Sequence, residues 1–269
     1  MSGKPGEEGG LYEQLRLELR ARHYSPRTER AYVGWVERYI AFHDRRHPTT
    51  LGAPELKIFL DSLVQRKLAA SSHQQALCAL HFFYAKVLQV DPPWVQSLAR
   101  PAQRQRLPLV LSRDEVRAVL TQMSGLPALM ASLLYGSGLR LLECARLRVK
   151  DVDFSAGQLV VRNGKGNRDR VTLLPGRLRG PLHAHLEQVR RTHRADLKAG
   201  AGYVELPGAL INKYPFAERE WPWQWVFPAT RHYRDPQGKL RRHHLHETVL
   251  QRAFHAACQA AQLSKPATC

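Results

Sequence analysis

The sequence predicts a mainly α-helical chain with a small antiparallel β-sheet: a helical N-terminal domain followed by an α+β domain. Three observations predict it. Apolar residues recur at helical spacing through most of residues 11–95 and again from Ser112 onward. A single Asn-Gly pair, Asn163-Gly164, separates two short β-prone runs, a strong local hairpin signal. Between residues 96 and 112 that periodicity gives way to prolines and arginines.

The opening ten residues, MSGKPGEEGG, are polar and glycine-rich, and a disordered tail is expected over 1–10. Leu11, Leu15, Leu17 and Leu19 then begin the first helix. Ser25 suits a helix cap, Pro26 the first turn and Glu29 the positive end of the helix dipole. Tyr32, Trp35, Val36, Tyr39, Ile40 and Phe42 follow as an apolar stripe of 3.6 period. APELKIFLDSLVQR and SSHQQALCALHFFYAKVL read as two more amphipathic helices, making residues 11–95 a four-helix unit. His73 and His81 are read there as ordinary helix residues.

Residues 96–112 carry Arg100, Arg104 and Arg106 among prolines, the composition of an extended basic linker. Such charge suits a segment that crosses a nucleic-acid backbone and suits a solvated linker equally. From Ser112 helical order resumes, with Glu115 three residues on as a capping box. PALMASLLYGSG is a buried helix closing on Gly136 and Gly138, and LRLLECARLRVKDVDF a short helix running into a strand. GQLVVRNGKGNRDRVTLLP gives two strands, GRLRGPLHAHLEQVRRTHRADLKAG a long basic helix, and HETVLQRAFHAACQAAQL a late amphipathic one.

Charge narrows the partners. Lys and Arg number 41 against 23 Asp and Glu, a formal net charge of +18, which attracts polyanions such as nucleic acid. The cysteines, Cys78, Cys144, Cys258 and Cys269, are scattered without a CxxC pair. That argues against a zinc ribbon or a disulfide framework and fits a reducing cytoplasm. No apolar run of about 18 residues occurs, so no membrane partner is expected. The HHLHE run lacks the HExxH spacing and has no acidic or cysteine cluster to complete a site, so no metal is expected.

Two stretches carry chemistry. GKGNRDR lacks the upstream glycine, the Ser or Thr and the following helix of a nucleotide-binding loop. Lys165 is then either a solvated turn residue or a cation projected toward a substrate. YGSGLRLLECARL places Arg140 at a helix start just past a Gly-Ser-Gly break. A planar, permanently charged guanidinium beside helix-start amides suits a phosphate, and Glu143, one turn on, can hold its rotamer. An ordinary surface ion pair is the other reading.

Together, GSGLRLLECARL followed by GKGNRDR resembles the tyrosine recombinase (phage integrase) family, with its arginine and hairpin lysine in order. The resemblance covers the chain from about Leu11. It implies a helical core-binding DNA-binding domain over 11–95, a linker over 96–112 and a tyrosine-recombinase catalytic domain over 113–269. A further stretch, ALINKYPFAEREWPWQWVFPATRHYRDPQGKLRRHHLHE, resembles the segment that sets integron integrases apart, an insertion over about 200–246. Its Trp221, Trp223 and Trp225 beside Arg231, Arg234, Lys239, Arg241 and Arg242 suit stacking on bases. They suit a tryptophan core under a solvated hairpin as well.

The resemblance implies site-specific recombination of attachment-site DNA in a bacterial cytoplasm, by a homotetramer on paired DNA, with no metal or nucleotide cofactor. A tyrosine hydroxyl attacks a phosphodiester, giving a 3′-phosphotyrosyl intermediate and a free 5′-hydroxyl that a second strand's hydroxyl later replaces. Arg140 would stabilise the non-bridging oxygens and Lys165 would protonate the leaving oxygen. Trp223, Pro236, His243 and His244 would meet extrahelical bases of a folded single strand, and Arg241, Arg242, Arg104 and Arg106 the DNA backbone. The family continues with HxxR, a further His or Trp and the nucleophilic tyrosine, and no such elements follow LSKPATC. The expectation is therefore of an incomplete catalytic domain that binds DNA without cleaving it. A non-catalytic DNA- or RNA-binding accessory protein is the alternative.

Overall fold

The computed structural model describes residues 5–90, 109–162, 164, 168–208 and 210–269, with side chains from residue 10 onward. The chain divides into two units, Met1–Leu107 and Pro108–Cys269.

The first unit is helical. Helix α1 spans Pro5–Ala21 and so begins inside the stretch expected to be a tail. Helix α2, Pro26–Phe42, is capped by Ser25, whose Oγ accepts from the Thr28 amide at 3.1 Å, and it buries Val33, Trp35, Val36, Tyr39 and Ile40. Helix α3, Ala53–Gln65, adds Leu56, Phe59, Leu60 and Leu63. Helix α4, Ala70–Phe82, continues into a π-type turn, Phe83–Val87, that sets Phe83 and Tyr84 into the same core. His73 is a buried residue of α4. Of the linker expected over 96–112, Arg104 and Arg106 lie outside the described residues.

The second unit begins with α5, Arg113–Thr121, where Ser112 and Glu115 form the expected capping box at 3.2 and 2.6 Å. Helix α6, Gly125–Ser137, stops at Gly138, whose left-handed backbone (φ +62°) turns the chain into α7, Leu141–Ala145. Strands β1 (Val152–Asp153), β2 (Gln158–Val161) and β3 (Arg170–Leu173) make an antiparallel sheet in that order. The described register runs from Gln158–Leu173 to Val161–Arg170, and the turn expected at Asn163-Gly164 lies partly outside the described residues. The Gly164 amide donates to the Arg168 carbonyl at 3.1 Å.

Helix α8, Gly176–Lys198, and the short α9, Leu210–Lys213, precede a second sheet that the sequence reading did not count: β4, Pro228–Arg234, antiparallel to β5, Leu240–His244. Helix α10, Glu247–Ala260, follows. One core joins α6, α7, β2, α8 and α10 through Met130, Leu133, Leu147, Leu159, Leu182 and Leu250, with Val226 and Phe227 from the segment before β4. That segment is tied to the strand-leading backbone: the Val226 amide donates to the Leu147 carbonyl (2.8 Å) and the Val149 amide to the Gln224 carbonyl (3.0 Å). The architecture is mostly helical with small antiparallel sheets, as expected.

Candidate phosphodiester-binding site

Arg140 stands between the left-handed Gly138 and the first turn of α7, with 57% of its side chain exposed. Its rotamer is fixed from below by Glu143, only 8% exposed at the side chain. Glu143 Oε1 accepts from Arg140 Nη1 and from Arg170 Nη1, both at 2.8 Å. Its Oε2 accepts from the Arg140 amide at 2.8 Å and Arg170 Nη2 at 2.7 Å. The Arg170 guanidinium, with Arg140 adding to it, holds the Glu143 carboxyl down at about 2, against the burial that would raise it. A permanently ionised, buried carboxylate thus presents an exposed guanidinium to solvent. A planar cation held in this way suits the non-bridging oxygens of a phosphodiester.

Lys165, the other expected catalytic residue, lies outside the described residues, while its neighbour Gly164 is buried against the Glu143–Arg170 pair. Arg170 itself escaped the sequence reading. It opens β3, where strand alternation puts it and Thr172 on one face, and Thr172 Oγ1 donates to the Ser137 carbonyl at 2.7 Å. Beside Arg140, a mostly apolar cavity of about 540 Å³ is lined by Val119, Leu134, Tyr135 and Phe254 and reaches Cys269.

The insertion presents a different surface from the one expected. Arg241 is buried, with Nη2 2.9 Å from Glu218 Oε2, Nε 2.5 Å from Asp235 Oδ2 and Nη1 donating to the Val204 carbonyl. Arg242 is buried against Asp196 and the Ala229 and Thr230 carbonyls. His244 is 5% exposed and donates from Nδ1 to the Leu245 carbonyl at 2.8 Å; burial pushes its imidazole down to about 4, so it is neutral. These three, expected to touch DNA, are buried, and their internal partners offset the several kcal/mol that burying unpaired polar groups would cost.

The other insertion residues keep an outward face. Pro236 is exposed in the β4–β5 turn and His243 is exposed near the rings of Trp225 and Tyr233. Trp223 is half-buried, with Lys150 Nζ 3.1 Å from its ring centroid, a cation–π contact. Trp225 belongs to the interior, where Arg148 stacks on it at 3.3 Å and donates to the Trp223 and Glu205 carbonyls. Burial lowers Arg148 to about 10 and also lowers Lys150. Arg148 and Lys150, which escaped the sequence reading, lie in the strand-leading stretch RVKD, far in sequence from the tryptophans they meet. No cluster of side chains suited to a metal occurs among the described residues, and no described helix is long and apolar enough to cross a membrane.

Comparison with known proteins agrees with this architecture. Residues 11–122 match the phage integrase N-terminal SAM-like domain, and residues 110–269 match the phage integrase family. An integrase/recombinase of Escherichia coli is 48% identical over 260 residues, 96% of this chain and 77% of the relative. The tyrosine recombinase XerC of Lacticaseibacillus casei is 28% identical over 220 residues, 75% of this chain and 69% of its own. Among solved structures, lambda integrase (75–356), as a dimer bound to a COC′ core site, superposes with a TM-score of 0.61. That match has 13% identity and covers 97% of this chain and 83% of the other, a likeness of fold. With the family match spanning residues 110–269, the chain belongs to the phage integrase family of site-specific tyrosine recombinases.

Proposed function

We propose that the chain grips attachment-site DNA as an integron-type integrase, with Arg140 on the non-bridging oxygens of the phosphodiester that recombination breaks. The carrying observation is the exposed Arg140 guanidinium anchored on a buried, fully ionised Glu143. Lys165 would protonate the leaving 5′-oxygen. Preorganised donors of this kind contribute about 2.7–4 kcal/mol each to a transition state that gathers charge on oxygen. Cleavage proper needs a tyrosine hydroxyl at the same phosphate.

In the same reading the insertion recognises unpaired bases. Trp223, backed by Lys150, offers a stacking face, and exposed His243 and Pro236 lie on the adjoining hairpin. Assembly on DNA as a homotetramer belongs to the proposal too; lambda integrase, a relative in fold, has been seen as a tetramer bound to a Holliday junction.

Titration of fluorescent recombination-site oligonucleotides tests this reading. A folded single strand with extrahelical bases should bind more tightly than the plain duplex, and Trp223→Ala should remove about 1–3 kcal/mol of that preference. Affinity for duplex should fall with salt, by about 0.9 in log K per decade for each phosphate neutralised. Equal affinity for both DNA forms, unchanged in Trp223→Ala, would remove the integron-type part.

A further inference from the structure

We propose that Arg170 is a positioning residue of the phosphodiester site: by occupying Glu143 bidentately it keeps the carboxylate from closing on Arg140, leaving Arg140 free for phosphate. The proposal rests on reading Arg140 as the phosphate ligand.

The geometry of the carboxylate carries the argument. Glu143 accepts four hydrogen bonds, two on each oxygen, and Arg170 supplies one to each. Arg140 receives only what remains, one side-chain contact through Nη1 and one through its amide. A carboxylate and a guanidinium left to themselves favour the fork-to-fork arrangement with two parallel bonds. Without Arg170, Glu143 can turn that fork onto Arg140 and draw both ends of the guanidinium downward. Its outward N–H groups would then be lost to a ligand.

The surroundings fix Arg170 in this post. Its Nη2 also reaches the Gly138 carbonyl at 3.3 Å, at the left-handed turn that launches Arg140. Thr172, two residues along the same strand, donates to the Ser137 carbonyl, so β3 is fastened twice to the end of α6. Gly164 closes the arrangement from the hairpin side. A Cβ there would lie 2.9 Å from the Arg168 carbonyl oxygen, 3.1 Å from Arg170 Nη1 and 3.4 Å from Glu143 Oε1. The base of the hairpin that carries Lys165 in sequence is therefore seated on the ion pair that sets Arg140.

The experiment follows the Arg140 side-chain Nε–H resonance, assigned by its loss in Arg140→Lys, while the full chain is titrated with inorganic phosphate. In the unaltered protein the resonance should shift and saturate. In Arg170→Met the apparent affinity should weaken by about tenfold. Adding Glu143→Gln, which removes the competing charge, should return it to within about threefold of the starting value. Arg170→Lys, which keeps the charge but reaches only one oxygen, should fall between and decides the matter if Arg170→Met does not fold. An Arg140 resonance that ignores phosphate in the unaltered protein would dispose of the ligand reading itself. A normal response in Arg170→Met or Arg170→Lys, or no recovery in the double variant, would overturn the positioning role alone.

Discussion

Arg242 and Asp196 meet fork to fork, Nε 2.9 Å from Oδ2 and Nη2 2.8 Å from Oδ1, and this buried pair fastens β5 to the C-terminal half of α8. His232 joins it, with Nε2 3.1 Å from Asp196 Oδ1. Removing one member leaves a buried charge alone, which typically costs about 3–5 kcal/mol, whereas removing both can be neutral. Arg242→Met should therefore lower the urea midpoint sharply, and Arg242→Met with Asp196→Leu should recover most of the loss. A single substitution as harmless as one on the exposed face of α8 would contradict this account.

Acid should act in two successive windows. The folded His244 imidazole titrates at about 4, below its ordinary 6.5, because it is buried. The unfolded chain takes that proton first, so stability is full above about 6.5 and is lost as pH falls toward 4, on the order of 3 kcal/mol. Glu143, held at about 2 by Arg170, extends the loss from about 4.5 downward. Thermal melts across pH 3–7 should show both arms, and His244→Gln should flatten the upper one alone.

The turn before Arg140 depends on backbone, not on space. Gly138 has φ +62°, and a Cβ there would meet nothing within 4 Å. Gly138→Ala should thus cost only the left-handed conformation, about 1–2 kcal/mol. That corresponds to a drop of a few degrees in melting temperature. A neutral substitution would show that the turn relaxes.

In the N-terminal unit the buried Tyr84 hydroxyl bonds Tyr39 at 2.9 Å and the Leu51 and Pro48 carbonyls at 2.9 and 3.2 Å. Tyr84→Phe strands the Tyr39 hydroxyl and the Leu51 carbonyl, while the Pro48 carbonyl keeps the Leu51 amide at 3.1 Å, and should cost about 1–3 kcal/mol. Tyr39→Phe leaves Tyr84 its carbonyl partners and should cost less. Chemical denaturation of the two variants ranks them directly, and the reverse order would refute this account of the two hydroxyls.

Much of this was legible in one dimension because its causes are local. The caps at Ser25 and Ser112, the stripe from Tyr32 to Ile40 and the glycine stop before Arg140 follow from residues within a turn or two of one another. The Arg140–Glu143 pair was readable for the same reason, being three residues apart on one helix start. The Arg170–Glu143 pair was not readable, since its two members stand 27 residues apart in sequence.

The insertion marks the limit. Its basic and aromatic composition allowed either a DNA face or a packed interior, and composition could not separate Arg234 from Arg241 or Trp223 from Trp225. Their fates depend on Asp196, Glu218, Arg148 and Lys150, residues that fold from distant parts of the chain onto them. The sequence by itself determined the helices, their caps, the charge and the family. Only the tertiary structure decided which cations face outward and which neutralise buried carboxylates, because burial and pairing are properties of contacts between segments far apart in sequence.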